Sequence, residues 1–281
     1  MSYMKNKDGS KLIFIAAVMW SFAGLGAKLM SWNALSIACV RGIIASITIF
    51  SFRKKTKLTL NSSTILASIS LLLTTTLFMS ANKMTTSANA IVLQYTSPIF
   101  ILILSVIFLK YKPKFVDYIA ISLTLVGISL FFIDQLETGR WLGDLVALLS
   151  GLAFAGVFFA NRLPKANPMD ASLIGNMMSL LLFPFLMFDQ NFLSFKTTDL
   201  IVIVLLGVFQ LGIPYILFSL GIKRTEAIKS SIISTIEPIL NPIWVFLFLN
   251  ELPGILSMIG GLIVLATILW YNTRKTRENY E

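Results

Sequence analysis

Residues 95–113 read YTSPIFILILSVIFLKYKP, and residues 235–253 read TIEPILNPIWVFLFLNELP. Laid over each other at an offset of 140, they match Pro98 with Pro238, Ile99 with Ile239, Ile103 with Ile243, Phe108 with Phe248, Leu109 with Leu249 and Pro113 with Pro253. Upstream, in the same ungapped register, Leu77, Phe78, Lys83 and Thr85 fall on Leu217, Phe218, Lys223 and Thr225. That makes ten identities over residues 77–113, in sequence that is almost wholly apolar. Two prolines repeated at one spacing mark an internally duplicated membrane protein rather than a chance likeness of Leu-rich segments.

Composition points the same way. Of the 281 residues 56% are hydrophobic and 13% charged, where a soluble domain carries about 25% charged residues. Histidine is absent and Cys39 is the single cysteine, which removes the commonest general base, the usual transition-metal ligands and any internal disulfide. No cofactor and no metal is expected. The net charge of +10 could suggest nucleic acid, but the placement of the charges argues for a bilayer instead.

About 20 apolar residues cross a membrane. Ten stretches qualify, at approximately 11–30, 34–52, 64–82, 85–109, 114–133, 141–161, 170–188, 199–222, 226–249 and 253–272. The first follows Lys5, Lys7 and Lys11 and lacks a clear cleavage site, so it reads as an uncleaved helix and not a secretory peptide. With the N-terminus in the cytoplasm, eighteen of the 23 Lys and Arg residues lie on the cytoplasmic side. Four (Lys28, Lys83, Arg140 and Lys196) lie on the other side, and Arg41 is inside a segment. The positive-inside rule then sets both termini in the cytoplasm of a multi-pass protein of the plasma or inner membrane. The expected fold is an all-α integral membrane protein of ten transmembrane helices, arranged as two five-helix repeats at 11–134 and 140–272. Five is odd, so the second repeat enters from the opposite face and the repeats are inverted, an architecture typical of secondary transporters with a midplane site.

The ionisable groups inside apolar runs are the site candidates. Glu237 stands near the middle of the ninth stretch, where a charged carboxylate costs at least ~2.5–3.5 kcal/mol unless paired, hydrated or protonated. It faces a water-filled cavity, binding a substrate amine or exchanging a proton, or it is a neutral acid bonded to a neighbouring helix. Ser230, Ser234, Glu237 and Asn241 are spaced four, three and four, which places them on one helical face. Their counterparts in the fourth stretch are Ala90, Gln94, Ser97 and Ile101, so Gln94 and Ser97 join the candidates. The competing reading is ordinary interhelical hydrogen bonding at about 0.6 kcal/mol per contact. Arg41 snorkels, or pairs with Glu237, or takes a substrate carboxylate with its planar fork. Trp20 lies mid-helix, away from the interfacial belts; with Tyr215 and Phe154 it forms a cavity wall or simply packs. Pro214, after Gly212 and Gln210, bends the eighth stretch.

These residues resemble the EamA family of the drug/metabolite transporter superfamily. In the second half Gly143-Asp144, the run Tyr215 to Phe218, Glu237-Pro238 and Asn250-Glu251-Leu252-Pro253 carry the likeness. In the first half Arg41, Pro98 and Pro113 carry it, and Phe-Ala-Gly recurs at 22–24 and 154–156. Tyr111 and Lys112 stand where the first repeat of that family often has an acidic residue. The resemblance implies a ten-helix transporter of small metabolites such as amino acids, without selecting one.

The sequence therefore points to a secondary active transporter of a small amino acid or related amine or zwitterion, export favoured, working by alternating access with protons as a coupling partner. The alternative is an ion-independent facilitator of uncharged or aromatic amino acids. A flippase for a lipid-linked carrier or a membrane enzyme fits less well: Asp117, Asp144 and Glu251 sit near helix ends on different sides of the membrane, and no Walker motif is present. The expected partners are a small-molecule substrate, the lipid bilayer and protons, with no nucleic acid; a homodimer is compatible with the sequence.

Overall fold

The computed structural model describes residues 9–23, 26, 29–53, 57–85, 87–133, 138–194, 196–249 and 255–278. All the described elements are helical. In chain order they are α1 (Ser10–Trp20), α2 (Ala34–Phe52), α3 (Ser62–Met84), α4 (Ser87–Gln94), α5 (Ser97–Leu109), α6 (Phe115–Phe132) and α7 (Trp141–Ala160). There follow α8 (Pro168–Met177) running into a 3-10 stretch (Met178–Phe188), α9 (Gln190–Leu193) and α10 (Thr197–Leu205) with a π-helical stretch (Leu206–Gly212). The chain ends with α11 (Ile213–Ile222), α12 (Ala227–Ser234), α13 (Ile236–Leu249) and α14 (Ile255–Glu278).

Among the described residues five helices are long and apolar enough to cross a bilayer: Ala34–Phe52, Asn89–Leu109, Trp141–Ala160, Pro168–Phe188 and Thr197–Ile222. Four shorter apolar helices accompany them, Ser10–Trp20, Ser62–Phe78, Phe115–Leu130 and Met258–Tyr271. The outward faces carry Ile107, Phe108, Ile201, Leu262 and Leu269, each more than half exposed, while Ser97, Asp117, Thr124, Ser150 and Ser230 are buried. Apolar side chains outside and polar ones within is the distribution lipid imposes.

The packing repeats itself when the two halves are exchanged. α3 lies along α7, and α11 lies along α1. α2 packs on the π-helical stretch and α11, as α8 packs on α3. α4 and α5 contact α7, as α12 and α13 contact α1. Two pairings map onto themselves: α6 with α14, and α2 with α8. Such a pattern is a two-repeat fold related by an approximate two-fold exchange.

The duplicated prolines explain the two interrupted helices. A proline lacks the N–H that should bond the carbonyl four residues back, and its ring crowds that carbonyl. Four residues before Pro98 is Gln94, where α4 ends; four before Pro238 is Ser234, where α12 ends. Each proline occupies the first turn of the following helix, α5 or α13, where the missing donor does no harm. α4 and α12 correspond residue for residue at the offset of 140 and have 8 residues each.

Carboxylates tie the ends of the bundle. Asp170 takes Arg53 Nε at 2.6 Å, Asn167 Nδ2 at 2.7 Å and the Thr59 N–H at 2.9 Å. Asp199 takes the Ser31 hydroxyl at 2.6 Å, and Asp189 takes the Asn33 N–H at 2.7 Å. Asp144 accepts from Thr85 at 2.7 Å and Asn89 at 3.0 Å; Asp117 accepts from Tyr111 at 2.7 Å and Tyr271 at 2.5 Å.

Candidate functional site

The two breaks face one another inside the bundle. Tyr95, in the turn between α4 and α5, donates its hydroxyl to Glu237 Oε2 at 2.7 Å, and Ser97 Oγ lies 3.4 Å from Ser231 Oγ. α7 comes close to the first break because Gly151 has no side chain: a Cβ there would sit 2.9 Å from the carbonyl oxygens of Leu93 and Gln94. The next residue along α4 to α7 contact is polar as well, with Gln94 Nε2 donating to Ser150 Oγ at 2.9 Å.

Arg41 enters from α2. It is buried, and its Nη1 donates to Gln210 Oε1 at 3.3 Å, while Gln210 Nε2 donates to the Trp20 carbonyl at 3.2 Å. Gln210 occupies the π-helical stretch, a widened turn of the kind that recurs at functional sites. The turn ends at Gly212, and Pro214 stands in the first turn of α11. α2 can lie against it only because position 207 is glycine, where a Cβ would come within 2.5 Å of Ile44. A neutral amide positions the guanidinium without cancelling its charge. Arg41 Nε and the Trp20 indole Nε1 are buried and have no hydrogen-bond acceptor.

These groups surround a cavity of about 90 Å³, lined by Trp20, Arg41, Thr74, Thr75, Gln94, Phe154, Gln210, Tyr215 and Glu237 with Ala23, Phe78 and Leu211. Its two charged lining residues, Arg41 and Glu237, are not joined as an ion pair. Aromatic rings close one side of it. Trp20 meets Tyr215 at 5.1 Å and Phe218 at 5.6 Å, Phe218 meets Phe158 at 5.4 Å, and Phe158 meets Phe154 at 4.9 Å. Elsewhere Phe22 stacks on Trp244 at 4.6 Å, and Trp244 Nε1 donates to Ser21 at 2.7 Å. A volume of this size holds several waters and is well below the ~300–1,000 Å³ typical of sites for drug-sized ligands.

Of the residues singled out by sequence, Glu237, Arg41, Gln94, Trp20 and Tyr215 line this cavity. Ser97 and Ser234 are buried beside it, outside its lining. Ser230 and Ser234 give their hydroxyls to the carbonyls of Glu226 and Ser230, one turn back in their own helix, at 2.8 and 2.9 Å. The chain breaks at Thr235, so the polar face drawn from Ser230 to Asn241 is interrupted. The side chain of Asn241 lies outside the described residues, as do Lys28, the side chain of Lys83, Gly24 and the run from Asn250 to Pro253. Sequence reasoning did not find Tyr95 or the paired threonines Thr74 and Thr75, and it saw Gln210 only as a neighbour of Pro214. The signal for Tyr95 was its place three residues before Pro98.

The sequence matches the EamA-like transporter family twice, over residues 8–133 and 141–273. It is 23% identical over 265 residues to an uncharacterized transporter of Archaeoglobus fulgidus, covering 93% of this chain and 95% of that protein. It is also 22% identical over 295 residues to an uncharacterized transporter of Clostridium kluyveri, covering 96% and 94%. A crystal structure 14% identical in sequence superposes with a TM-score of 0.76 over 92% of this chain and 95% of the other, a likeness of fold. With the apolar helices and the two-repeat packing, these matches establish that the chain is a multi-pass membrane protein of the EamA-like transporter family.

Proposed function

We propose that the protein is a secondary active transporter of a small zwitterionic metabolite, an amino acid or a related amine, with export the favoured direction. Ten spans form two inverted repeats, 11–134 and 140–272, which rock about the cavity and expose it to one side of the cell membrane at a time. The termini lie in the cytoplasm, by the charge asymmetry of the loops. One observation carries the reading: the two charged side chains lining the cavity, Arg41 and Glu237, have opposite signs and come from opposite halves. Ionisable groups at membrane depth are costly to insert, and a buried pair left unjoined invites a ligand bearing both charges.

Glu237 is also the group to exchange a proton, since its repeat counterpart is Ser97 and the second carboxylate of a symmetric pair is missing. In liposomes containing the purified protein, Glu237→Gln abolishes pH-dependent exchange while the protein remains folded. Unchanged pH dependence in that variant removes the coupling role. The hydrogen bond from Tyr95 favours a second reading, in which Glu237 is a fixed counter-charge and the protein an ion-independent facilitator. Counterflow insensitive to a proton gradient in the wild type selects it. Crosslinking in membranes tests for a homodimer.

A further inference from the structure

We propose that Trp20 Nε1–H and Arg41 Nε–H together dock the carboxylate of an α-amino acid whose ammonium group is taken by Glu237, so that substrate bridges the two halves of the chain. The inference rests on the transport reading above and gives its site a polarity.

Trp20 and Arg41 both line the cavity and both are more than nine-tenths buried, at 4% and 6% exposure. Each has a buried N–H donor without an acceptor. An unsatisfied buried donor is disfavoured, and natural structures rarely leave one without a reason. Two such donors on one small cavity call for an acceptor supplied from outside, and a carboxylate oxygen matches them in charge and geometry. Gln210 prepares the point. It holds Arg41 Nη1 at 3.3 Å, a long contact with a neutral partner, and anchors itself on the Trp20 carbonyl at 3.2 Å. Gln210 thereby ties the Arg41 side chain to the α1 backbone at Trp20 and leaves Arg41 Nε without an acceptor.

Charge balance narrows the ligand. Arg41 and Glu237 together are neutral, so a zwitterion leaves the cavity neutral, whereas a dianion such as phosphate adds net charge in a low-dielectric site. An amine alone leaves Arg41 unmet, and a simple carboxylic acid leaves Glu237 unmet. With about 90 Å³ available, the side chain must be small. Trp20 and Arg41 belong to α1 and α2 of the first half and Glu237 to α13 of the second. Only a ligand with both head groups spans them, which makes the zwitterion the species that draws the halves together and is carried.

The test uses the full-length protein in liposomes preloaded with glycine, alanine, serine, threonine and cysteine. Counterflow of each labelled amino acid is compared with that of its methyl ester and its N-acetyl derivative. The proposal expects exchange of one or more of the free amino acids and little of either derivative. Esters exchanged as fast as the acids overturn the carboxylate dock and leave a transporter of small amines. If no free amino acid exchanges, the transport reading falls with it. Trp20→Phe, which keeps the ring and removes the N–H, raises KM for the exchanged amino acid about tenfold, the change of one hydrogen bond to a charged group. Arg41→Lys, which keeps the charge and removes the fork, raises it at least as much and carries the test should Trp20→Phe fail to fold. An unchanged KM in either folded variant overturns the proposal.

Discussion

Asp170→Asn examines how the two halves are fastened at one end of the bundle. Arg53 closes α2 in the first half, and Asp170 stands in the first turn of α8 in the second. The ion pair is 2.6 Å long, with side chains 3% and 1% exposed. The ~0–1 kcal/mol typical of a surface pair therefore does not apply. Removing one member of a buried pair leaves the other charge uncompensated, at about 3–5 kcal/mol. Asparagine keeps the shape and one acceptor for the Thr59 N–H, so the expected loss is about 3 kcal/mol. Arg53→Met should cost a similar amount. The double variant Arg53→Met with Asp170→Leu should cost much less than the two singles together, because no charge is left buried and the volume is refilled. Reversible unfolding in mixed micelles, followed by tryptophan fluorescence, gives all three values. A single-variant loss below about 1 kcal/mol, or a double variant as unstable as the sum of the singles, would refute the reasoning.

Gly151→Ala pushes a Cβ to 2.9 Å from the carbonyls at the first break, and overpacking of that kind costs about 1–3 kcal/mol; an unchanged thermal midpoint would show that α7 does not press on the break. Gln210→Glu places a carboxylate where a neutral amide meets Arg41 at 3.3 Å, so the variant should fold and lose amino-acid exchange by at least about tenfold. Normal exchange in that variant would mean that the charge of Arg41 need not be free. Burial pushes the Asp189 carboxyl up, but the N–H groups of Asn33, Phe192 and Asn191 outweigh it and hold the group below its usual value. A depressed carboxylate stabilises the fold above its unfolded value of about 3.9 and loses that contribution as pH falls through the folded value. Asp189→Asn should therefore flatten acid unfolding below about pH 4, and an unaltered acid profile would rule that contribution out.

Much of the scaffold was legible because its determinants are local. A proline acts on the carbonyl four residues before it in any context, so Pro98 and Pro238, which marked the duplication in the sequence, also fix where both helices break. Arg41 and Glu237 were legible because a charge in an apolar run has a cost that demands an explanation. Tyr95 and Gln210 carry no such cost: a tyrosine or glutamine in a helix becomes part of a site only through what the fold brings to it. The hydroxyls of Ser230 and Ser234 were ambiguous for a related reason, since a serine can bond its own helix one turn back. The face drawn across Thr235 assumed a continuous helix, although Pro238 on the same stretch already argued against one. The π-helical stretch at 206–212 left no periodic trace, because its extra width depends on Pro214 and on the glycine that admits α2.

The interrupted helices also have the geometry of levers. α4 and α12, of 8 residues each, are rods about 12 Å long. A swivel of about 10° at the joint moves the far end of such a rod by roughly 2 Å, enough to part a hydrogen bond. In the first turn of α4 lies Asn89, fastened to Asp144 on α7 together with Thr85, which caps α3. A rotation too small to unpack the centre of the bundle would release that fastening. The bond from Tyr95 to Glu237 sits at the fulcrum, where such a rotation would move atoms least, so a strain applied there would be read out at Asp144.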